Sequence, residues 1–224
     1  IDGVVIRGAS GKLRTDLNAK VFKVNAETDL VEFNQIDIRQ PDTDKLITWE
    51  FSGTSHADQR FLDCYSKICL RDFGKFDTRE CDFPMCSVVP FYYGYAAAID
   101  HMNRWIRTGK VPPAGLQMTY VQTQPTVVLR RDTLGNAMDG IRLPQFDVPV
   151  SMNSGVNSGK NSCKYYGTHA SFDQKTLKSL YPSHKFYMEK FRASVKANLL
   201  SGYILQEDTA AMIREAEKSA SLWK

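Results

Sequence analysis

The chain has 224 residues, of which 42% are hydrophobic and 24% charged, and its formal net charge is +4. This composition supports a folded core and excludes a disordered or fibrous chain. The basic residues are dispersed, which argues against a nucleic-acid partner, and no apolar stretch reaches the roughly 20 residues that a membrane span needs.

Two apolar runs near the start of the chain predict β-strands. The run from Lys20 to Val24 alternates and is rich in β-formers, and Asn25 to Asp29 are expected to form its exit turn. The run from Leu46 to Phe51 is apolar enough for an interior strand, which Gly53 ends. The residues before Lys20 contain several glycines and charges, and they predict a loop or a peripheral hairpin.

Helical periodicity follows in the middle of the chain. A helix is expected from Ala57 to about Asp72, and residues 75–87 form a cysteine-rich loop. The clearest helix has Pro90 in its first turn and ends at Gly109. Its apolar residues recur at intervals of three and four, which indicates core packing: Tyr95, Ala98, Ile99, Met102, Trp105 and Ile106.

The rest of the chain predicts short strands and then helices. Strands are expected at residues 118–122 and 126–130, and the Ser-, Gly- and Asn-rich stretch 151–162 is expected to be a flexible loop. Three helices should follow. Asp173 or Ser171 would cap the first, which carries Leu177, and Ser183 would cap the second, which carries Phe191. The third carries Met212.

Five cysteines bear on redox compartment and metal binding: Cys64, Cys69, Cys81, Cys86 and Cys163. The first four have C-x4-C spacings, which do not fit the C-x2-C pairs of zinc sites, so zinc is not expected. The sequence implies no other metal and no organic cofactor. Disulfides in a secreted protein are favoured, with free cysteines in a cytosolic protein as the alternative. Cys64 and Cys69 would lie on different faces of one helix, so each is expected to pair with Cys81 or Cys86.

Candidate catalytic residues lie where the two predicted strands end. His56, in a turn of small residues after the second strand, suits the base of a Ser-His-acid triad, although a single loop histidine is often only a polar surface residue. Glu27 and Asp29 are both candidates for the acid: distance along the turn favours Asp29, a tighter turn would favour Glu27, and spacing does not decide between them. No Gly-x-Ser-x-Gly nucleophile motif is present in the chain. The other histidines, His101, His169 and His184, are not expected to take part in chemistry.

A series of short segments resembles the alpha/beta hydrolase domain family. The segments include Asn25-Ala-Glu-Thr-Asp-Leu30, Arg39-Gln-Pro-Asp-Thr-Asp44, Gly53-Thr-Ser-His-Ala-Asp58, Arg104-Trp-Ile-Arg107, Gly135-Asn-Ala137 and Leu180-Tyr-Pro-x-His184. The resemblance implies an α/β fold, specifically the C-terminal half of an α/β-hydrolase domain with a helical C-terminal extension. It also implies esterase-like activity with His56 and Glu27 or Asp29 as triad members, and a structural, unpaired Cys163.

The resemblance divides the chain into three parts of one domain. Residues 1–60 would hold the last sheet strands with acid and histidine, residues 61–115 a cysteine-rich loop and helix, and residues 116–224 a β/turn segment and C-terminal helices.

The family's nucleophilic serine lies upstream of the segment seen here. The expected function is therefore the C-terminal portion of a serine hydrolase acting on a small ester-like substrate. Its partner would be the N-terminal portion of the same precursor, and the start at Ile1 fits a processed or partial chain. Without that partner, residues 1–224 are expected to aggregate or fold poorly. The alternatives are a non-catalytic secreted binding or structural protein and a lyase on the same scaffold.

Overall fold

The computed structural model describes residues 2–8, 11–14, 16–76, 80–160 and 162–223. Parts of the predicted N-terminal loop, the cysteine-rich loop and the stretch 151–162 therefore lie outside the described residues. The described chain has mixed α/β structure built on a three-stranded parallel sheet, which confirms the predicted fold class. The strands, in their order across the sheet, are β1 (Gly3–Arg7), β2 (Lys20–Ala26) and β3 (Leu46–Phe51).

The first strand corrects the prediction of a loop or hairpin before Lys20. β1 pairs in parallel with β2, from Gly3 opposite Lys20 to Arg7 opposite Val24. β1 contains the β-branched run Val4-Val5-Ile6, which is typical of a strand, but the glycines and charges around it favoured a loop or hairpin.

β2 and β3 are mostly buried on both faces, as expected for a parallel sheet. Phe22 and Trp49 pack edge to face with ring centroids 4.8 Å apart, and Trp49 also contacts Phe51. Helix α3 (Phe91–Thr108) packs against β1 and β2. A Cβ atom on Gly94 of this helix would lie 2.3 Å from the Phe51 ring, so the glycine permits the close approach of helix and sheet.

A short helix begins directly where β2 ends. Helix α1 (Glu27–Glu32) replaces the exit turn that was predicted for Asn25 to Asp29. The Asp29 carboxylate accepts a hydrogen bond of 2.7 Å from the backbone N–H of Ala26 and so caps the start of the helix. This local hydrogen bond lets the strand pass into a helix without an intervening loop.

The remaining helices include four that were predicted and one, at residues 144–147, that was not. They are α2 (Gln59–Phe73), α4 (Pro144–Asp147), α5 (Gln174–Leu180), α6 (His184–Leu200) and α7 (Thr209–Glu217). The side chains of Asp58, Asp173 and Ser183 accept the N-capping hydrogen bonds of α2, α5 and α6. This confirms Ser183 as a cap and selects Asp173 over Ser171. None of the described helices is long and apolar enough to cross a membrane.

Two antiparallel pairs complete the described strands. β4 (Tyr120–Gln122) pairs with β5 (Val128–Leu129), close to the predicted positions. β6 (Ser151–Ser154) pairs with β7 (Thr168–Ser171), so the prediction of a flexible loop from residue 151 is wrong for its first four residues. Asn153 of β6 is buried, although the polar composition of this stretch predicted a solvent-exposed loop. Its backbone N–H donates a hydrogen bond to the side chain of Asn136 and is therefore satisfied.

The disulfide differs from both sequence predictions. Cys81 is bonded to Cys163, across a sequence separation of 82, whereas Cys64, Cys69 and Cys86 are free. An antiparallel bridge between Cys81 and Gly159 brings the two distant segments together. The expected pairing of Cys64 and Cys69 with Cys81 or Cys86 is therefore wrong, and so is the unpaired Cys163. Burial raises the pKa of Cys86 to about 12, so this thiol stays protonated at neutral pH.

We expect the disulfide to contribute to stability through the length of chain that it closes. Cys163→Ala should lower the free energy of unfolding by about 2–4 kcal/mol, because cross-linking distant residues reduces the entropy of the unfolded chain. Urea unfolding measures this effect, with Cys64→Ala, which removes an exposed free thiol, as the control. Thiol titration of the unfolded, unreduced protein should detect the three free cysteines. Equal stability of the two variants would contradict the prediction.

Candidate active site

The carboxyl ends of β2 and β3 bring a histidine and an aspartate together. Both strands run in the same direction and are neighbours, so the residues that follow them meet at one edge of the sheet. His56 Nδ1 lies 2.7 Å from Asp29 Oδ1. The Asp29 side chain is fully buried, whereas 36% of the His56 side chain is exposed. The pair therefore has a buried acid and a solvent-facing base.

Besides His56, two neighbours fix the position of the Asp29 side chain, Ala26 and Gly8. Its second carboxylate oxygen accepts the Ala26 N–H described above, which fixes the plane of the carboxylate. Gly8, just after β1, has a φ of +60°, and an added Cβ would lie 2.9 Å from Asp29 Oδ1 and 3.0 Å from His56 Cε1. A larger residue at this position would displace the pair, so the absence of a side chain on Gly8 allows the end of β1 to contact it.

The backbone of His56 is anchored on both sides of the residue. Its N–H donates to Thr28 Oγ1 at 3.1 Å, and the Thr28 hydroxyl donates to the Gly155 carbonyl at 2.6 Å. The Arg7 guanidinium donates to the His56 carbonyl and lies 4.6 Å from the Phe91 ring. Burial lowers the pKa of Arg7, and the negative charge of Asp29 partly opposes this effect. These contacts fix the orientation of the histidine relative to the sheet.

The second candidate acid, Glu27, lies in a different environment. Its Oε1 atom is 2.6 Å from Arg131 Nη2 and accepts a 3.0 Å hydrogen bond from Ser154, while Oε2 accepts the Gly53 N–H at 2.8 Å. Residues two apart in a helix project about 200° apart, so Glu27 and Asp29 point to opposite sides of α1. Asp29 therefore contacts His56, whereas Glu27 contacts both Arg131 and the turn that precedes His56.

The other histidines have structural surroundings. His101 Nε2 lies 2.8 Å from the Gly202 carbonyl, and burial lowers the His101 pKa. His169 Nδ1 lies 2.7 Å from the Cys86 carbonyl. His184 packs against the Trp223 ring, with centroids 5.2 Å apart. None of these side chains contacts His56 in the part of the chain that the structure describes.

The described residues contain no group of three or more His, Cys, Asp or Glu side chains that could hold a metal ion. His56 Nε2 has no hydrogen-bond partner among these residues, so this nitrogen is available to a reacting group. The arrangement can accept a proton at Nε2 while Asp29 stabilises the resulting imidazolium.

Sequence reasoning did not identify Arg7, Gly8 and Thr28 as part of the site. Thr28 lies between the two candidate acids, just after the predicted strand. Its hydroxyl group could have suggested a hydrogen bond to a neighbouring loop. Arg7 and Gly8 were missed together with β1, because their position depends on the pairing of that strand with β2.

Comparison with known proteins assigns a family to the chain. The family model described as Alpha/beta hydrolase domain matches residues 3–214, which include the whole site described above. The searches of curated proteins and of solved structures gave no significant match. Since the match covers nearly all of the sequence, the chain belongs to the alpha/beta hydrolase domain family.

Proposed function

We propose that this chain supplies the acid and the base of a Ser-His-acid triad in a carboxylic ester hydrolase. The observation that carries the proposal is the 2.7 Å contact between His56 Nδ1 and the buried Asp29 carboxylate, with Nε2 unpartnered among the described residues. The Nδ1–H group of His56 donates a hydrogen bond to the Asp29 carboxylate, and this holds the imidazole in the tautomer whose Nε2 can accept a proton. Asp29 is assigned as the acid, and Glu27 as a residue that positions the turn before His56.

The nucleophile in this proposal is a serine outside the 224-residue sequence. Its hydroxyl would approach Nε2 from the solvent-facing side of His56, since the Nδ1 side is occupied by Asp29. His56 would take the hydroxyl proton as the serine attacks the ester carbonyl. A substrate of the small ester class is the simplest one that this chemistry serves.

The sheet supports the proposal that preceding polypeptide completes the domain. β1 pairs with β2 on one side only, and no other described strand pairs with its outer edge. Val4 of β1 is 40% exposed. Parallel sheets are normally covered on both faces and continued by further strands, so this edge suits a strand of the N-terminal portion. The Cys81–Cys163 disulfide supports placement of the protein in an oxidising, secretory compartment.

A fluorophosphonate probe tests the proposal in the intact gene product. We expect covalent labelling of a serine outside these 224 residues, and we expect Asp29→Asn and His56→Ala to slow it by several orders of magnitude, because the base activates the serine. Peptide mapping locates the label. A protein that resists labelling and cleaves no ester would contradict the proposal and favour a non-catalytic binding role. Ester cleavage that survives loss of the labelled serine would instead indicate proton-transfer chemistry.

A further inference from the structure

Two aromatic side chains border the ring of His56 without taking part in its hydrogen bonds. The Phe33 ring, just after α1, meets the His56 ring edge to face with centroids 5.1 Å apart. Tyr165 stacks on Phe33 with centroids 5.6 Å apart and lies 5.9 Å from the His56 ring. Both side chains are partly exposed. Phe33 and Tyr165, called here the aromatic pair, thus form an apolar surface beside the base.

The aromatic pair is attached to the same segments that hold the acid and the base. The Phe33 N–H donates to the Asp29 carbonyl at 3.2 Å, and the Tyr165 carbonyl accepts the Ala57 N–H at 2.9 Å. Cys163, which precedes Tyr165 by two residues, is anchored by the disulfide. The position of the pair relative to His56 is therefore fixed by contacts on both sides of the site.

The reaction determines which part of an ester lies next to this surface. When the serine oxygen has bonded to the acyl carbon, the bond from that carbon to the alcohol oxygen breaks and its electron pair stays on the oxygen. The proton that His56 took from the serine then passes from Nε2 to the same oxygen, which releases the alcohol. The alcohol must lie within hydrogen-bonding distance of Nε2, and its substituent therefore lies near the surface that borders the histidine ring.

We propose that Phe33 and Tyr165 form the leaving-group subsite and that the protein prefers esters of aromatic or bulky apolar alcohols. This proposal rests on the proposed hydrolase function. Aromatic faces favour aromatic and apolar partners through stacking and burial. Next to the aromatic pair, Lys164 and Glu32 carry opposite charges and form an ion pair: Lys164 Nζ lies 3.5 Å from Glu32 Oε2 and 5.1 Å from the Tyr165 ring centroid. The surface therefore gives no net attraction to a charged alcohol.

The test compares benzyl acetate with methyl acetate in the intact gene product. The two esters share the acyl group, and their alcohols are similarly basic, so they differ mainly in the alcohol substituent. Phe33→Ala and Tyr165→Ala should each lower kcat/KM for benzyl acetate by about 10-fold, which corresponds to the loss of one aromatic contact. The value for methyl acetate should stay within about 2-fold, since its alcohol does not reach the aromatic pair.

Matched variants separate a binding role from a structural one. Tyr165→Phe keeps the ring and should keep the benzyl preference. Phe186→Ala removes a phenylalanine of α6 that is 38% exposed, and it should leave both esters unaffected. If Phe33→Ala does not fold, Phe33→Leu keeps an apolar side chain and should still lower the benzyl-to-methyl ratio by about 3-fold.

Two failures are distinguishable. An equal loss for benzyl and methyl acetate in the aromatic-pair variants, with His56-dependent hydrolysis intact, would overturn the leaving-group subsite and leave the proposed function standing. An intact protein that hydrolyses neither ester and takes no fluorophosphonate label would overturn both proposals.

Discussion

Replacing His56 by Ala should lower kcat for ester hydrolysis in the intact gene product by a factor of about 10⁴ to 10⁶, because the serine loses the base that accepts its proton. Asp29→Asn should lower kcat by about 10⁴, since an amide in place of the carboxylate favours the wrong tautomer of His56 and no longer stabilises its cation. Steady-state kinetics on a chromogenic ester measures both effects.

His101→Gln is the matched control for these substitutions. It replaces a histidine whose Nε2 contacts the Gly202 carbonyl, and the amide of glutamine can still donate to that oxygen. We expect unchanged kcat. Near-normal kcat in folded Asp29→Asn and His56→Ala proteins would remove both residues from the mechanism.

Glu27→Gln provides a further comparison. If Glu27 were the triad acid, the kcat of Glu27→Gln would fall as far as that of Asp29→Asn. The contacts of Glu27 with Arg131 and Gly53 predict a loss of stability instead.

The parts of the fold that were predictable depend on local sequence. β3 was predicted from the run Leu46 to Phe51, with the observed bounds, because both of its faces are buried and every residue contributes to the signal. The helix that ends at Gly109 was predictable from its apolar periodicity and its C-terminal glycine, which adopts a φ of +77°. β1 has a local strand signal in Val4-Val5-Ile6, but its parallel pairing with β2, which follows it in sequence, is not encoded by a local pattern.

In the site, too, local sequence predicted some features, and others depend on contacts that it does not encode. Strand order and the histidine turn indicated that an acid would meet His56, and distance along the turn favoured Asp29, but spacing did not exclude Glu27. The choice depends on helix α1, in which Asp29 faces His56 and Glu27 faces Arg131. Recognising this helix requires the capping contact of Asp29, which sequence periodicity over six residues does not reveal. The disulfide was missed for a related reason, because its partners are 82 positions apart in sequence.

The buried Glu27 links the turn that carries His56 to Arg131, which is distant in sequence. Its side chain is fully buried, and its only cationic partner among the described residues is Arg131, 104 positions later in the chain. Glu27 also accepts the N–H of Gly53, so this ion pair fixes the turn that carries His56. A carboxylate in this position is tolerated because a guanidinium, a hydroxyl and a backbone N–H satisfy it.

Arg131→Met should therefore lower the free energy of unfolding by about 3 kcal/mol, because it leaves the Glu27 carboxylate buried without a compensating charge. Arg192→Met is the control: Arg192 and Glu217 have an N–O distance of 2.7 Å, close to the 2.6 Å of the buried pair, but both side chains are about half exposed. Loss of this surface pair should cost less than about 1 kcal/mol.

Urea unfolding of both variants, together with Glu27→Gln and the double variant Glu27→Gln/Arg131→Met, measures the difference. The double variant should be more stable than Arg131→Met alone, since neutralising Glu27 removes the uncompensated charge. Equal costs for the buried and the surface pair would show that burial does not control this interaction. A double variant that is less stable by the sum of the single losses would show that Glu27 and Arg131 stabilise the protein independently of each other.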